Sequence, residues 1–480
     1  MLFNSIGFAF FLPLIFFLYW FATNQHLKKQ NVLLLLSSYF FYACWDYRFL
    51  FLLIFSTLLD YYTGLKMNAV QTNRGRKFWF WLSILVNLSF LGAFKYYNFF
   101  ANSFAEMLSH FGIKVSLWTI QVILPVGISF YTFHGLSYVI DIYKRKIQPV
   151  SNFIEYSVFV SFFPLLVAGP IERATHLLPQ IQTKRVFTYT KAVYGLRQIL
   201  WGLFKKIVIA DTCADYVNYV FSNSQSLSSI SLSLGALFFT FQIYCDFSGY
   251  SDIALGTARL FGIELLQNFS FPYFSRDIAE FWRRWHISLS SWFRDYLYIP
   301  LGGSKGSILL QVRNIFIIFI VSGFWHGANW TFIAWGALNA IYFLPLLLLK
   351  RNRNNIDSIA KGKWFPSRRE FFGLLVTFCL TVFAWIFFRS PSIHFAFDYI
   401  SGVLAAKSSP TPVMPVKALF LILIIGFLLL IEWMGREQKF ALAAFGLSWR
   451  PAYRLIFYIL LSLAIFQFAG SDQQFIYFQF

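Results

Sequence analysis

The stretch that decides the fold is SILLQVRNIFIIFIVSGFWHGANWTFIAWGALNAIYFLPLLLL, residues 307–349. It contains two apolar runs, 307–325 and 329–349, on either side of a short segment with a histidine and a glycine. A helix needs about 20 residues to cross about 30 Å of hydrocarbon, and each run has that length. The stretch therefore predicts two membrane-crossing helices with a helix break between them.

The rest of the chain continues this pattern. Charged residues are 12% of the 480 residues, hydrophobic residues 58% and aromatic residues 22%, whereas an ordinary soluble protein has about 25% charged residues. A soluble globule could not cover so much apolar surface. We therefore predict an all-α polytopic membrane protein, one transmembrane domain over residues 1–480, with about 11–12 transmembrane helices plus re-entrant and interfacial helices. The apolar stretches lie near 6–22, 31–45, 48–62, 78–99, 120–142, 153–170, 192–210, 229–256, 307–325, 329–349, 371–389, 417–434 and 454–470.

The basic residues predict the orientation. Lys and Arg number 40 and Asp and Glu 20, a net charge of +20. The basic residues concentrate in alternate loops, notably 66–77, 144–146, 351–369 and 436–454, as cytoplasmic loops do. The N-terminus is therefore predicted to lie outside. The alternation of basic loops requires 153–170 to enter and return on the cytoplasmic side, and Gly169-Pro170 would break a helix at the end of this re-entrant stretch. An excess of basic residues in the cytoplasmic loops of a protein that lies in the lipid bilayer accounts for the net charge. A nucleic-acid partner is therefore not expected.

His326 is the first candidate functional residue. It stands in VSGFWHGANWTFIAWGALN, 321–339, with no charged residue within ten positions. Histidine is a plausible general base because its pKa lies near working pH. The alternative is a buried neutral histidine bonded to the backbone. The seven histidines and four cysteines show no metal-ligand spacing, so no metal site is expected.

A second candidate stretch is FSRDIAEFWRRWHISLSSWFRDYLYIPLGG, 274–303. Its apolar residues recur with helical spacing, and its arginines and tryptophans are typical of an amphipathic helix at the cytoplasmic interface. His286 lies within it, one turn before Ser290. This spacing allows a His–Ser hydrogen bond and makes Ser290 a candidate nucleophile. The basic residues fit either the phosphates of a charged donor or ordinary positive-inside charge; they are Arg283, Arg284 and Arg294.

Two carboxylates stand in another apolar stretch, YCDFSGYSDIALG, 244–256. Asp246 and Asp252 are costly there unless they are paired or hydrogen-bonded. Either could orient a histidine or accept from an arginine. The competing interpretation is structural pairing with Arg259 or Arg276.

Together these strings, with AGPIER at 168–173 and a C-terminal QFIYFQF, resemble the membrane-bound O-acyltransferase (MBOAT) family. The resemblance covers nearly the whole chain and is strongest to the bacterial branch that acetylates alginate-type polysaccharides, with the D-alanyl-lipoteichoic acid transferases more distant. It implies a ring of tilted helices around a funnel-shaped core in the bacterial cytoplasmic membrane. It also implies that an acyl group moves from a thioester donor to a hydroxyl, with His326 as the catalytic residue and His286 lining the same tunnel.

The resemblance implies further residues and partners. The oxyanion formed in acyl transfer needs hydrogen-bond donors, for which Asn329 and the indole of Trp325 are candidates. No bound cofactor is expected; the donor would be acetyl-CoA or the thioester of an acyl carrier protein. The acceptor would be a polysaccharide outside the cell, reached through an extracytoplasmic acetyltransferase of the SGNH type.

A membrane transporter or flippase of an envelope-polysaccharide system is the alternative from another class. It would explain the many spans and the intramembrane polar residues, and it predicts inverted repeats. The sequence shows no such repeats.

Overall fold

A computed structural model describes residues 1–23, 26–113, 125–167, 169–405, 412–470, 473, 475 and 476. The helices of the first half are α1 Ile6–Phe17, α2 Leu27–Ala43, α3 Tyr47–Ala69, α4 Asn73–Leu91, α5 Tyr97–His110, α6 Ile128–Tyr143, α7 Phe153–Ser161, α8 Phe163–Leu166, α9 Ala174–Gln182 and α10 Tyr189–Leu203. Those of the second half are α11 Asp211–Ser222, α12 Ser229–Leu260, α13 Ile278–Arg284, α14 Ile287–Phe293, α15 Ile308–His326, α16 Trp330–Leu348, α17 Arg368–Arg389, α18 Ile393–Leu404, α19 Pro415–Gly435 and α20 Pro451–Phe468. Short π-helical turns cover Leu18–Ala22, Gly92–Tyr96, Phe204–Ala210 and Arg294–Tyr298, and a 3-10 turn covers Pro272–Phe274.

The predicted all-α membrane class is confirmed. Across the residues that the structure describes there is no β-strand. Among the described residues, eight helical segments are long and apolar enough to cross a membrane, if α4, the π-helical turn Gly92–Tyr96 and α5 are counted as one continuous segment. They are Tyr47–Ala69, Asn73–His110, Ser229–Leu260, Ile308–His326, Trp330–Leu348, Arg368–Arg389, Pro415–Gly435 and Pro451–Phe468. Several other predicted stretches form shorter helices, such as α2 with 17 residues, so the count of eleven or twelve crossings stays a prediction.

The chain forms two compact units. That these units belong to one transmembrane domain over residues 1–480 stays a prediction. The first unit comprises Met1–Gly195 and Thr257–Leu266. Its helices α3 and α4 are joined by a buried carboxylate: Asp60 Oδ1 accepts from Ser83 Oγ at 2.6 Å and from Asn87 Nδ2 at 2.8 Å. Such interhelical hydrogen bonds replace the hydrophobic driving force that lipid does not supply.

The predicted re-entrant stretch lies in this first unit as two short helices. α7 has 9 residues and α8 has 4, so neither is long enough to cross a bilayer. Glu172 of the AGPIER motif is fully buried beyond them, where it accepts from the backbone N–H of Leu266 at 2.6 Å and lies 2.8 Å from His176 Nδ1. The motif therefore anchors the 257–266 segment.

The second unit comprises Leu196–Gly256 and Gln267–Phe480 and contains every predicted site residue. Here the prediction of one amphipathic surface helix over 274–303 is wrong. The stretch forms two helices of 7 residues each, α13 and α14, which are interrupted at Trp285 and His286. Both of these side chains are buried. The interruption arises because His286 adopts a left-handed backbone conformation, with φ +42° and ψ +55°.

Candidate active site

The α15–α16 hairpin positions His326. Three glycines let its two helices approach closely, because a Cβ at Gly323 would collide with the carbonyl of Phe332, one at Gly336 with that of Phe319, and one at Gly327 with the ring of Phe332. His326 is the last residue of α15 and is 5% exposed. The predicted helix break is confirmed and lies just after the histidine, at 327–329.

Aromatic rings surround His326. The ring of Trp335 lies 5.4 Å from the imidazole, centroid to centroid, and that of Phe388 lies 5.6 Å away. Trp385 stacks on Trp335 at 5.5 Å and also contacts Trp285 at 5.1 Å. These rings give the histidine an apolar environment from which water is largely excluded.

His286 faces His326. Their ring centroids are 6.4 Å apart, although the two residues are 40 positions apart in the sequence. Phe247 contacts the His286 ring edge-on at 4.7 Å. His286 is 3% exposed, and its Nδ1 has no hydrogen-bond partner within the described part of the chain. Burial lowers the pKa of His286 well below its usual range, with a smaller contribution from His326, so His286 is neutral at physiological pH.

The predicted His286–Ser290 pair is not formed by the side chains. Ser290 Oγ donates to the carbonyl of Trp285 at 3.4 Å, while the backbone N–H of Ser290 donates to the carbonyl of His286 at 3.0 Å. The geometry therefore gives Ser290 a part in closing the first turn of α14, and among the described residues it shows no hydrogen bond from the Ser290 hydroxyl to a base.

Asn329 and Trp325 flank His326 in the sequence. Asn329 caps α16: its Oδ1 accepts from the N–H of Thr331 at 3.0 Å, and its Nδ2 donates to the carbonyl of Pro391 at 2.9 Å. Asn329 thus has a structural role as the N-cap of α16, and its role as an oxyanion donor stays a prediction. Trp325 lies in the last turn of α15 and is partly exposed.

Asp246 and Asp252 pair with lysines, so the predicted pairing with Arg259 or Arg276 is wrong. Lys206 Nζ lies 2.7 Å from Asp246 Oδ1, and Lys205 Nζ lies 2.6 Å from Asp252 Oδ2. Asp246 Oδ2 also accepts from the N–H of Ile476 at 2.6 Å, and Asp252 Oδ1 accepts from Gln198 Nε2 at 2.6 Å. None of these contacts is with a histidine, so an orienting role for either carboxylate stays a prediction.

The two predicted arginine partners bind elsewhere. Arg259 pairs with Glu264 at 2.9 Å and Arg276 with Glu280 at 3.0 Å. Sequence analysis missed Lys205 and Lys206, although two adjacent lysines inside the apolar stretch 192–210 were a visible signal that buried carboxylates needed cations.

The three candidate phosphate-binding arginines differ in their surroundings. Arg283 donates to the carbonyls of Asn352 and Asn355 at 2.8 and 2.6 Å, so it holds the following loop. Arg284 is buried and pairs with Glu280 at 2.8 Å. Arg294 is exposed and pairs with its neighbour Asp295 at 2.8 Å. Arg283 and Arg294 are both exposed, but Arg283 already holds the loop through two backbone carbonyls.

A small polar cavity lies in the same unit. Its volume is about 20 Å³, enough for about one or two water molecules. Lys205, Asp252, Glu432 and Asn268 are among its lining residues. Within the described residues no three histidine, cysteine or carboxylate side chains are grouped as a metal site would require.

The candidate site of this helical membrane protein is thus a pair of buried histidines that face each other. The model of the membrane-bound O-acyltransferase family matches residues 142–358 of the chain. The probable alginate O-acetylase of Pseudomonas aeruginosa is 40% identical over 399 residues, which cover 82% of the chain and 73% of that protein. The peptidoglycan O-acetyltransferase of Helicobacter pylori is 37% identical over 435 residues, covering 84% and 80%.

The teichoic acid D-alanyltransferase of Bacillus subtilis is more distant, at 27% identity over 286 residues, 56% of the chain and 69% of that protein. The chain belongs to the MBOAT family and is a membrane O-acyltransferase. The predicted resemblance is therefore confirmed. The sequence left two function classes open, an enzyme and a transporter. The family to which the chain belongs is a family of enzymes.

Proposed function

We propose that this O-acyltransferase moves acetyl groups from a cytoplasmic thioester towards hydroxyls of an extracytoplasmic polysaccharide, with His326 as general base. The observation that carries the proposal is the buried histidine pair, with ring centroids 6.4 Å apart. Relatives named for O-acetylation of alginate and of peptidoglycan support the acetyl group and the polymer.

The chemistry follows from the environment of His326. A hydroxyl O–H gives its proton to His326 while its oxygen attacks the thioester carbonyl carbon. The tetrahedral intermediate then collapses, the C–S bond breaks, and the thiolate leaving group takes the proton from His326. The ester and the free thiol are the products, so no bound cofactor is needed. The aromatic surroundings protect the thioester from water.

The donor would be acetyl-CoA or the thioester of an acyl carrier protein. Arg294 supports a phosphate-bearing donor, because its guanidinium is exposed on the segment that follows His286. Backbone N–H groups or Trp325 at the end of α15 would stabilise the oxyanion. His286, held neutral by burial, would line the path between donor and His326.

The direction of transfer requires a defined topology in the bacterial cytoplasmic membrane. With the N-terminus outside, the loops at 66–77 and 350–370 lie in the cytoplasm, as their basic residues favour. Cysteines placed at Gln71 and Asn354 should then resist a membrane-impermeant thiol reagent on intact cells and react after permeabilisation. Strong labelling of both positions on intact cells would contradict the proposed orientation.

The acceptor side requires a partner. An extracytoplasmic SGNH-type acetyltransferase would receive the acetyl group and pass it to the polysaccharide. The test uses vesicles that contain the chain, with acetyl donor on one side and polymer on the other. If the acetyl group passes through this partner, a relay, polymer acetylation should rise when the SGNH-type protein is added. A rate that this addition leaves unchanged would rule the relay out.

The central test is the release of free thiol by the purified, reconstituted chain, with acetyl-CoA and acetyl-loaded carrier protein each offered as donor. The wild type should consume one of them in the presence of acceptor. His326→Ala should reduce consumption by about 10²–10⁴-fold, because the general base is lost. The matched control is His394→Ala, since the His394 side chain is 90% exposed. Near-wild-type turnover by His326→Ala would contradict the general-base role.

A further inference from the structure

We infer that Asn268 is a positioning residue for His286: it holds the left-handed turn that aims the His286 imidazole at His326. This inference rests on the proposed function, because it assigns Asn268 a role in the same site. Asn268 belongs to the segment 268–270, which precedes α13 and lies beside the α13–α14 break.

The His286 backbone needs such support. A left-handed conformation brings Cβ close to the backbone carbonyl, so residues other than glycine avoid it. His286 nevertheless has φ +42° and ψ +55°. Conformations of this kind persist only where surrounding contacts enforce them, and they are concentrated at functional sites.

The segment 268–270 supplies these contacts on both sides of the break. The N–H of Ser270 donates to the carbonyl of Arg284 at 3.0 Å, which lies before His286. The N–H of Ile287, directly after His286, donates to the carbonyl of Asn268 at 2.9 Å. The two bonds fix the chain at the end of α13 and at the start of α14.

The Asn268 side chain adds a second connection. It is 1% exposed, its Oδ1 accepts from Ser288 Oγ at 2.6 Å, and its Nδ2 donates to Ser251 Oγ at 3.1 Å. Ser251 belongs to α12 and Ser288 to α14. The amide therefore links the short helix that begins after His286 to a long helix of the unit.

The same segment also contacts the imidazole ring. Phe269, the next residue, lies 6.5 Å from the His286 ring and is nearly parallel to it, at 27°. Phe247 contacts the ring edge-on at 4.7 Å. A movement of Asn268 would therefore change both the backbone of His286 and one wall of its ring.

His326 is held by different contacts, those of the α15–α16 hairpin. Loss of the Asn268 amide should thus move His286 relative to His326 while the hairpin stays intact. Displacement of a catalytic group by about 1 Å can reduce turnover on the order of a hundredfold. The expected signature is a lower kcat with an unchanged KM for the donor.

The experiment measures thiol release by the full-length, reconstituted chain with acetyl-CoA and acetyl-loaded carrier protein as probes. Asn268→Ala and Ser288→Ala should each lower kcat by about ten- to a hundredfold. The double variant should be no worse than Asn268→Ala, because Asn268→Ala already removes the bond to Ser288 Oγ together with the bond to Ser251 Oγ. Asn268→Asp keeps the acceptor for Ser288 Oγ and should restore most of the activity.

The matched control is Asn314→Ala. Asn314 is also a fully buried asparagine of this unit, with its Nδ2 donating to the carbonyl of Gly303 at 3.0 Å, but it lies 12 residues before His326 on α15. It should lower the melting temperature and leave kcat unchanged. Asn268→Ala should lower the melting temperature as well, because it also removes a buried, hydrogen-bonded amide, but it should lower kcat too.

Several outcomes would overturn the inference. Wild-type kcat in Asn268→Ala would do so, as would losses of Asn268→Ala and Ser288→Ala that multiply in the double variant. If Asn268→Ala does not fold, Ser288→Ala carries the same test, because it removes only a hydroxyl. A wild-type chain that consumes neither donor would contradict the proposed function itself, and the positioning role would fall with it.

Discussion

The two histidines of the site are held in place by different means. His326 ends a long apolar helix, and contacts between glycines and backbone carbonyls in the α15–α16 hairpin fix its position. His286 lies between two helices of 7 residues, where hydrogen bonds from the segment 268–270 fix a disfavoured backbone conformation. The first arrangement is local in sequence. The second depends on residues that are almost twenty positions away.

The largest predicted effect is the loss of acetyl-transfer turnover in His326→Ala, which should exceed the loss in His286→Ala. His326→Ala should reduce acetyl transfer by about 10²–10⁴-fold, the range for loss of a general base. His286→Ala should reduce it less, because a neutral histidine that lines the path does not take the proton. Turnover of the two variants is measured at equal amounts of folded protein. A larger loss in His286→Ala than in His326→Ala would reverse the assignment.

The next prediction tests the hairpin. Gly323→Ala should lower the free energy of unfolding by about 1–3 kcal/mol, because the added methyl collides with the backbone carbonyl of Phe332. Gly426→Ala is the matched control, since a Cβ there has no atom within 4 Å and α19 gains helix propensity. Thermal unfolding in detergent measures both. Equal stability of the two variants would show that close packing does not hold the hairpin.

Sequence reasoning could predict the hairpin and could not predict the break at His286. The two apolar runs around His326 have spanning length, and Gly327 makes the helix end visible. In 274–303 the helical spacing of apolar residues continues through His286, so periodicity indicated one helix. The hydrogen bonds that stabilise the interruption of this helix come from Asn268 and Ser270. No residue pattern within 274–303 indicates these bonds. Lys205 and Lys206 are visible as charges in an apolar stretch, but their pairing with Asp252 and Asp246 could not be predicted, because these partners are 47 and 40 positions away.

A third prediction tests the strain at the break. His286→Gly should be more stable than His286→Ala by about 1 kcal/mol, because glycine tolerates the left-handed conformation while its greater freedom in the unfolded chain offsets part of the gain. Four residues on, in α14, the order should reverse: Ser290→Gly should be less stable than Ser290→Ala by about 1 kcal/mol. Melting temperatures of the four variants supply the comparison. The same order at both positions would argue against a left-handed His286.

The last prediction concerns pH, and it belongs to His286 because burial lowers the pKa of that residue. The folded state then keeps His286 neutral, whereas the unfolded chain protonates it below its usual pKa of about 6.5. Above that pH both states are neutral and His286 adds no pH dependence. Below it the unfolded state binds one more proton, so stability falls by up to about 1.4 kcal/mol per pH unit. His286→Gln cannot take up a proton, so its melting temperature should fall less than that of the wild type between pH 7 and pH 5. Parallel curves for the two proteins would mean that His286 is not buried in the neutral form.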